Sequence, residues 1–247
     1  MSVIESTSAP TPIHVMPPVL VPGPAIAVGG VPAAYVFPRD AANIAVVNTS
    51  GELWVHAISA VVSKAHRVPG AAIASSGAPA RYVFELDASR IAVINTKGEL
   101  WVHTITDGVS APVQIKGAAI ALGGVPARYV FAFWNASIAV INTRGELWVH
   151  PISDTVGQAH QFTGAAIASS GIPAKYVFPL DGSRIAVVNT SGELWVHTVT
   201  DTVGAPSHIT GAAIAFGGTP AKYAFALNPT TIAVINDAGE LWCHALR

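Results

Sequence analysis

The sequence predicts an all-β chain: a five-bladed β-propeller with four antiparallel strands in each blade. Three observations predict it. First, GELWVH begins at Gly51 and returns at Gly98, Gly145 and Gly192, then at Gly239 with Cys243 replacing the valine, always 47 residues on. A fixed period of about 20 to 50 residues marks a solenoid, propeller or array. Second, each unit holds four short apolar runs parted by Gly, Pro, Asp, Ser and Asn, about the content of one propeller blade. Third, the repeat closes on itself, because VMPPVLVPG from Val15 aligns with VSKAHRVPG from Val62 and VGQAHQFTG from Val156. Residues 13–22 thus take the place of the connector that would follow the last unit.

The unit Gly70 to Lys116 shows the elements in order. Its first run, AAIA, has counterparts after Gly23, Gly117, Gly164 and Gly211. Only small residues suit a crowded axis, so this run is expected to be the innermost strand. The runs RYVFEL and IAVINT follow, nearly continuous in apolar residues, as expected when both faces of a sheet pack against neighbours. The Asn48, Thr49, Ser50, Gly51 stretch reads as a turn, since asparagine caps turns with its side chain. The last run, ELWVHTI, is expected to be the outermost strand. Loops after the second run vary (PRDAAN, ELDASR, AFWNAS, PLDGSR, ALNPTT) and belong with the variable connectors on one face of the disc. The near-constant VGGVPA-like and NTSG loops belong on the other. Blades are expected at 23–69, 70–116, 117–163, 164–210 and 211–247, with 13–22 closing the ring and 1–12 as a loose extension.

Composition narrows the function. Hydrophobic residues make up 51% of the chain and charged ones only 11%, so most side chains face protein. The net charge is −1 and Lys and Arg never cluster, which removes the basic stripe that nucleic acid needs. Cys243 is the single cysteine and sits in a valine column, so it reads as a small core residue. No apolar run reaches membrane-span length, and the proline-broken start lacks a basic n-region, so a cytoplasmic protein is expected, with unconventional export left open.

Constant columns give the candidate site. Glu52, Trp54 and His56 alternate with core residues and share one strand face, as do Glu99, Trp101 and His103; Glu146, Trp148 and His150; Glu193, Trp195 and His197; and Glu240, Trp242 and His244. Glu and His of one strand stand roughly 13 Å apart with Trp between them, too far to pair. An aromatic plate flanked by polar groups suits a sugar, whose C–H face lies on the ring while its hydroxyls bond the polar groups. The alternative has Trp wedged between blades, Glu accepting turn N–H groups and His satisfying a carbonyl. A partly constant cation column, Arg81, Arg128, Lys175 and Lys222, is also a candidate. Its counterpart in the first blade is Ala34, so that blade is expected to bind weakly or not at all.

The pattern argues against an enzyme. Equivalent residues of neighbouring blades are too far apart for the paired carboxylates of glycoside hydrolysis, which need roughly 5 to 10 Å, or for one shared metal. Asp40, Glu85, Asp87 and Asp181 break the repeat but read as ordinary loop residues. No cofactor or metal site is expected.

Stretches such as IAVVNTSGELWVHAI and IAVINTKGELWVHTI resemble the strand, turn and Gly-x-Leu-Trp segment of the β-propeller lectins. Blade count and period resemble the tachylectin-2 type, and the residues resemble Psathyrella-type and fucose-binding propellers. The DNW and GGW motifs of the tachylectin type are absent. The resemblance implies a multivalent sugar binder for glycans of N-acetylhexosamine or fucose type, with the Trp and Glu columns as aromatic and carboxylate. A protein-interaction scaffold without sugar affinity is the runner-up, and a propeller hydrolase comes third.

Overall fold

The computed structural model describes residues 13–26, 31–120, 125–134, 136–169, 171–214 and 220–247. The expected extension at 1–12 and the Gly-Gly parts of the loops at 27–30, 121–124 and 215–219 lie outside them. Among the described residues every regular element is a strand. Blade 1 comprises Ala33–Asp40, Asn43–Asn48, Leu53–Ala57 and His66–Arg67. Blade 2 comprises Ala80–Asp87, Arg90–Asn95, Leu100–Thr104 and Val113–Ile115. Blade 3 runs through Ala127–Ala132, Ser137–Asn142, Leu147–Pro151 and His160–Phe162, and blade 4 through Ala174–Pro179, Arg184–Asn189, Leu194–Thr198 and Ser207–Ile209. Each is a four-stranded antiparallel sheet in sequence order. The fold is the five-bladed propeller that the repeat predicts.

Blade 5 is built from both ends of the chain. Ala221–Asn228, Thr231–Asn236 and Leu241–Ala245 are followed in the sheet by Val19–Val21, with Leu20 opposite Trp242 and Val21 opposite Leu241. Just outside, the Arg247 N–H donates to the His14 carbonyl at 3.0 Å.

The second strand of each blade explains the apolar composition. Ile44, Ala45, Val46 and Val47, like their counterparts in every blade, are at most 1% exposed, because both faces meet another sheet. Between blades 1 and 2, Phe37, Ala45, Val47 and Leu53 of one sheet meet Val83, Ile91 and Val93 of the next, with Trp101 packed at the margin.

Two strand assignments are corrected. Among the described residues the AAIA run is not a strand, and the inner strand is the Tyr-Val-Phe run. Gly70 instead bridges to Val109 of the next connector, and Ala71 N–H donates to the Val109 carbonyl at 2.9 Å. A Cβ on Gly70 would stand 2.2 Å from that carbonyl oxygen. Small residues are therefore demanded where consecutive connectors touch, rather than at the axis. The Trp-bearing strand is third, not outermost, because two or three connector residues add a fourth strand. With strands about 4.8 Å apart and roughly 5 Å for the inner radius, equivalent third-strand residues of adjacent blades stand about 17 Å apart.

An unassigned constant column proves to link the blades. The Tyr35 hydroxyl donates to the Ala80 carbonyl (3.0 Å), Tyr82 to Ala127 (2.8 Å), Tyr129 to Ala174 (3.1 Å), Tyr176 to Ala221 (2.5 Å) and Tyr223 to Ala33 (3.2 Å). The last bond joins blade 5 to blade 1.

Candidate functional site

The glutamate column clamps a turn. Asn48 Oδ1 accepts the N–H groups of Ser50 (3.0 Å) and Glu52 (2.9 Å), and Asn48 Nδ2 donates to Glu52 Oε2 at 2.8 Å. The Asn-to-Glu bond recurs for Glu99, Glu146, Glu193 and Glu240 at 2.5 to 2.7 Å. The expected turn chemistry of asparagine is present, and the glutamate accepts the Asn amide rather than turn N–H groups. In blade 1 the other oxygen meets Arg67 Nε at 3.0 Å. The Asn48 amide, above all, holds the Glu52 carboxyl below its ordinary pKa.

The histidine column lies inside the protein. His56, His103, His150, His197 and His244 are 0 to 2% exposed. Their Nδ1 atoms bond the carbonyls of Ser63, Ser110, Gly157, Gly204 and Met16 at 2.8 to 3.0 Å. In blades 2 and 4, Nε2 of His103 and His197 also lies 2.9 Å from the carbonyls of Ala74 and Ala168. All five rings pin the connector that follows, and in blades 2 and 4 they also pin the segment that leads into their own blade. A ligand on the surface does not reach them, so this column leaves the candidate site.

The tryptophans are half-buried and packed against the layers between blades. The indole N–H groups of Trp54, Trp101, Trp148 and Trp195 are buried, and that of Trp242 donates to Glu240 Oε2 at 3.4 Å. The fourth strand sets Arg67, Gln114, Gln161, His208 and Leu20 opposite the five rings. In blade 4, His208 stacks on Trp195 at 4.7 Å with 23° between the planes, the place a sugar would take. The wedge role is thus visible for Trp54, Trp101, Trp148 and Trp195.

The cation column stands apart from this strand face, on the inner strand. Arg81, Arg128, Lys175 and Lys222 are exposed, and their charged groups lie 5.3, 5.2, 5.3 and 5.6 Å from the ring centres of Tyr82, Tyr129, Tyr176 and Tyr223. Arg81 and Arg128 also donate to the carbonyls of Ala127 (3.2 Å) and Ala174 (2.8 Å), which the tyrosines share. Between blades 2 and 3 this column opens a groove of about 270 Å³, lined by Arg81, Tyr82, Asn95, Thr96, Pro126 and Ala127.

A second cavity, about 340 Å³, occupies the axis. Its wall includes Phe37, Phe84, Phe131, Phe178 and Phe225, and Glu85 is its one ionisable residue. Glu85 therefore lies on an inner strand rather than in the loop expected for it. The other blades hold Pro38, Ala132, Pro179 and Ala226 in this column, so the lone acid was legible once the strand was placed. Burial pushes its carboxyl up to about 7, against a smaller opposing pull from Arg39. Burial likewise depresses His56, His150 and His244, and it pushes Cys243 up to about 11.

These shifts act on stability with opposite signs. The unfolded chain protonates the histidines below about 6.5 while the fold keeps them neutral, so their contribution is complete above that pH and is lost as pH falls toward their folded values. Glu85 ionises in the unfolded chain from about 4.5 but in the fold only near 7, so it lowers stability as pH rises through that window. Glu85→Ala, the residue found in blades 3 and 5, is expected to raise the urea midpoint at pH 8. It should also leave a profile that falls more steeply below pH 6.5. Urea titrations between pH 4.5 and 8 check both.

No protein-family model and no curated protein matches the sequence. Among solved structures, the chain is similar to a structural genomics protein of unknown function from Bacteroides thetaiotaomicron, with a TM-score of 0.55 at 9% identity, over 88% of this chain and 60% of that one. It is also similar to YCF48 from Cyanidioschyzon merolae, with 0.49 at 11% identity over 87% and 83%. Human WBSCR16 gives 0.40 at 12% identity over 82% and 59%. The chain thus spans about three fifths of the human and Bacteroides proteins. At such identity the Bacteroides likeness establishes the fold alone, and that fold is the β-propeller.

Proposed function

We propose that this chain is a carbohydrate-binding protein without catalytic activity, presenting repeated shallow sites in the grooves between blades. The observation that carries this is the groove of Arg81 and Tyr82, where a cation lies over an aromatic ring beside the Asn95 and Thr96 turn. Such a set offers donors for a sugar's hydroxyls. The residues recur as Arg128, Tyr129, Asn142 and Thr143, as Lys175, Tyr176, Asn189 and Thr190, and as Lys222, Tyr223, Asn236 and Asp237. Blade 1 has Ala34 in the cation column and is the weakest. Glycans of N-acetylhexosamine or fucose type are the ligands to try first, because the blades resemble those of lectins.

Spacing supports binding over hydrolysis. The glutamates are tied to asparagines, and neighbouring third strands are about 17 Å apart, beyond the roughly 5 to 10 Å of paired catalytic carboxyls. Several weak sites on one rigid disc can raise avidity by roughly a hundredfold when the glycan spacing matches. Replacing Arg81, Arg128, Lys175 and Lys222 together by Ala is expected to weaken binding to an immobilised glycan by at least about tenfold with the melting temperature nearly unchanged. Undiminished binding by that variant would reject these grooves.

A further inference from the structure

Blade 3 breaks the repeat at one place on the variable face. In the hairpin after the inner strand, the other blades carry Asp40, Asp87, Asp181 and Asn228. The side-chain oxygens of these residues accept the N–H two residues on, from Ala42 (2.7 Å), Ser89 (3.0 Å), Ser183 (2.8 Å) and Thr230 (3.0 Å). These are Asx turns, the cheapest way to close the hairpin. Blade 3 has Trp134 in that position and so lacks the cap. Trp134 and Ala136 both adopt φ of 54°, and among the described residues they are the sole non-glycine residues at positive φ. A non-glycine residue in the left-handed region is disfavoured, because its Cβ crowds the following carbonyl oxygen. The loop holds the less stable arrangement and places a large aromatic side chain at the surface, 36% exposed. Strain that the surrounding structure tolerates concentrates at functional sites.

The surroundings complete a site. Phe162 replaces the aliphatic residue that Val68, Ile115, Ile209 and Val21 supply elsewhere, and its ring centre lies 5.0 Å from that of Trp134 and 4.8 Å from that of His160. Phe133 supports Trp134 from behind at 4.8 Å. These rings border an open cleft of about 620 Å³ between blades 3 and 4, whose remaining lining includes Gln161, Thr200 and Asp201. The last three side chains are exposed, and none bonds to another described residue. The wall holds aromatic plates, the His160 imidazole, an amide, a hydroxyl and a carboxylate, and among the described residues no Lys or Arg.

We infer that this cleft binds one neutral hexopyranose unit of a glycan, its C–H face on Trp134 and Phe162 and its hydroxyls on Gln161, Thr200 and Asp201. The carboxylate of Asp201 and the absence of Lys and Arg from the described lining disfavour uronic and sialic acids, whose own carboxylate would meet repulsion there. This deepens the carbohydrate-binding reading and rests on it for the ligand class. It adds a single asymmetric site on the face opposite the turns.

The test titrates the full chain with methyl glycosides of glucose, galactose, mannose and N-acetylglucosamine, reading tryptophan fluorescence and calorimetric stoichiometry. In the full chain with Arg81, Arg128, Lys175 and Lys222 replaced by Ala, which silences the grooves, the inference expects saturation at one site per chain for at least one of them. Trp134→Ala should weaken it roughly thirty-fold and Trp134→Phe much less. Trp134→Asp should abolish it while raising the melting temperature, because the Asx turn of the other blades is restored. That paired outcome separates a binding tryptophan from a structural one. Unchanged affinity in the Ala variant, a lower melting temperature in the Asp variant, or no neutral sugar bound would each overturn the inference. Loss of neutral-sugar binding with array binding intact and lost in the Arg/Lys variant would overturn the cleft alone. A blank for both would overturn carbohydrate binding itself.

Discussion

Gly117→Ala is expected to destabilise the protein by at least about 3 kcal/mol. Gly117 sits at φ 139°, a region open in practice to glycine alone, and its absent Cβ would stand 2.2 Å from the Val156 carbonyl oxygen and 2.7 Å from its nitrogen. The obstacle is backbone, held by the Ala118 N–H bond to the Val156 carbonyl at 2.9 Å and by the Val156 N–H bond to Lys116. No side-chain rotation relieves it. Two other glycines calibrate the effect. Gly77, at φ 78° with open space around it, should cost about 1 to 2 kcal/mol on changing to Ala, while Gly182, open and without positive φ, should change stability little. Urea denaturation of the three variants checks the order, and near-equal costs would contradict the assigned contact.

Deleting residues 1–21 is expected to lower the melting temperature by at least about 10 °C. The deletion strips Val19–Val21 from blade 5, exposing the edge of Leu241–Ala245. It also removes Val15, 3% exposed and packed against Leu246 and Ile214, and the Met16 carbonyl that holds His244. A peptide of residues 13–22 added in trans should restore part of the loss, since the site it enters is an antiparallel register with defined partners. Differential scanning calorimetry with and without the peptide reads both effects.

Much of the fold was legible because propeller physics repeats with the sequence. The 47-residue period, the apolar second strand and the Asn-initiated turn each follow from short-range chemistry that recurs five times. What misled was radial order. Small residues in the Gly-Ala-Ala-Ile run suggested a crowded axis, whereas the crowding lies between connectors that meet through long-range contacts no single unit displays. The short fourth strand, such as His66–Arg67, carries no strand pattern of its own and exists because the Trp strand offers it an edge.

The candidate site was legible in part. The Glu and His columns share a face as the alternation requires, but burial divides them, the histidines going to the core and the glutamates to the turn asparagines. Identity across five units came from packing as much as from recognition. Trp134 was visible as the sixth tryptophan in a drifting loop. Its meaning depended on the Asx turns that only coordinates reveal in the other blades.

The central claim, binding of glycans in the repeated grooves, is tested most directly by calorimetric titration of the intact protein with the best ligand from a glycan array. The account predicts more than one equivalent site per chain, lost when Arg81, Arg128, Lys175 and Lys222 become Ala in a protein whose circular dichroism is unchanged. A blank array from well-folded protein, or a stoichiometry that the four substitutions leave intact, would contradict it.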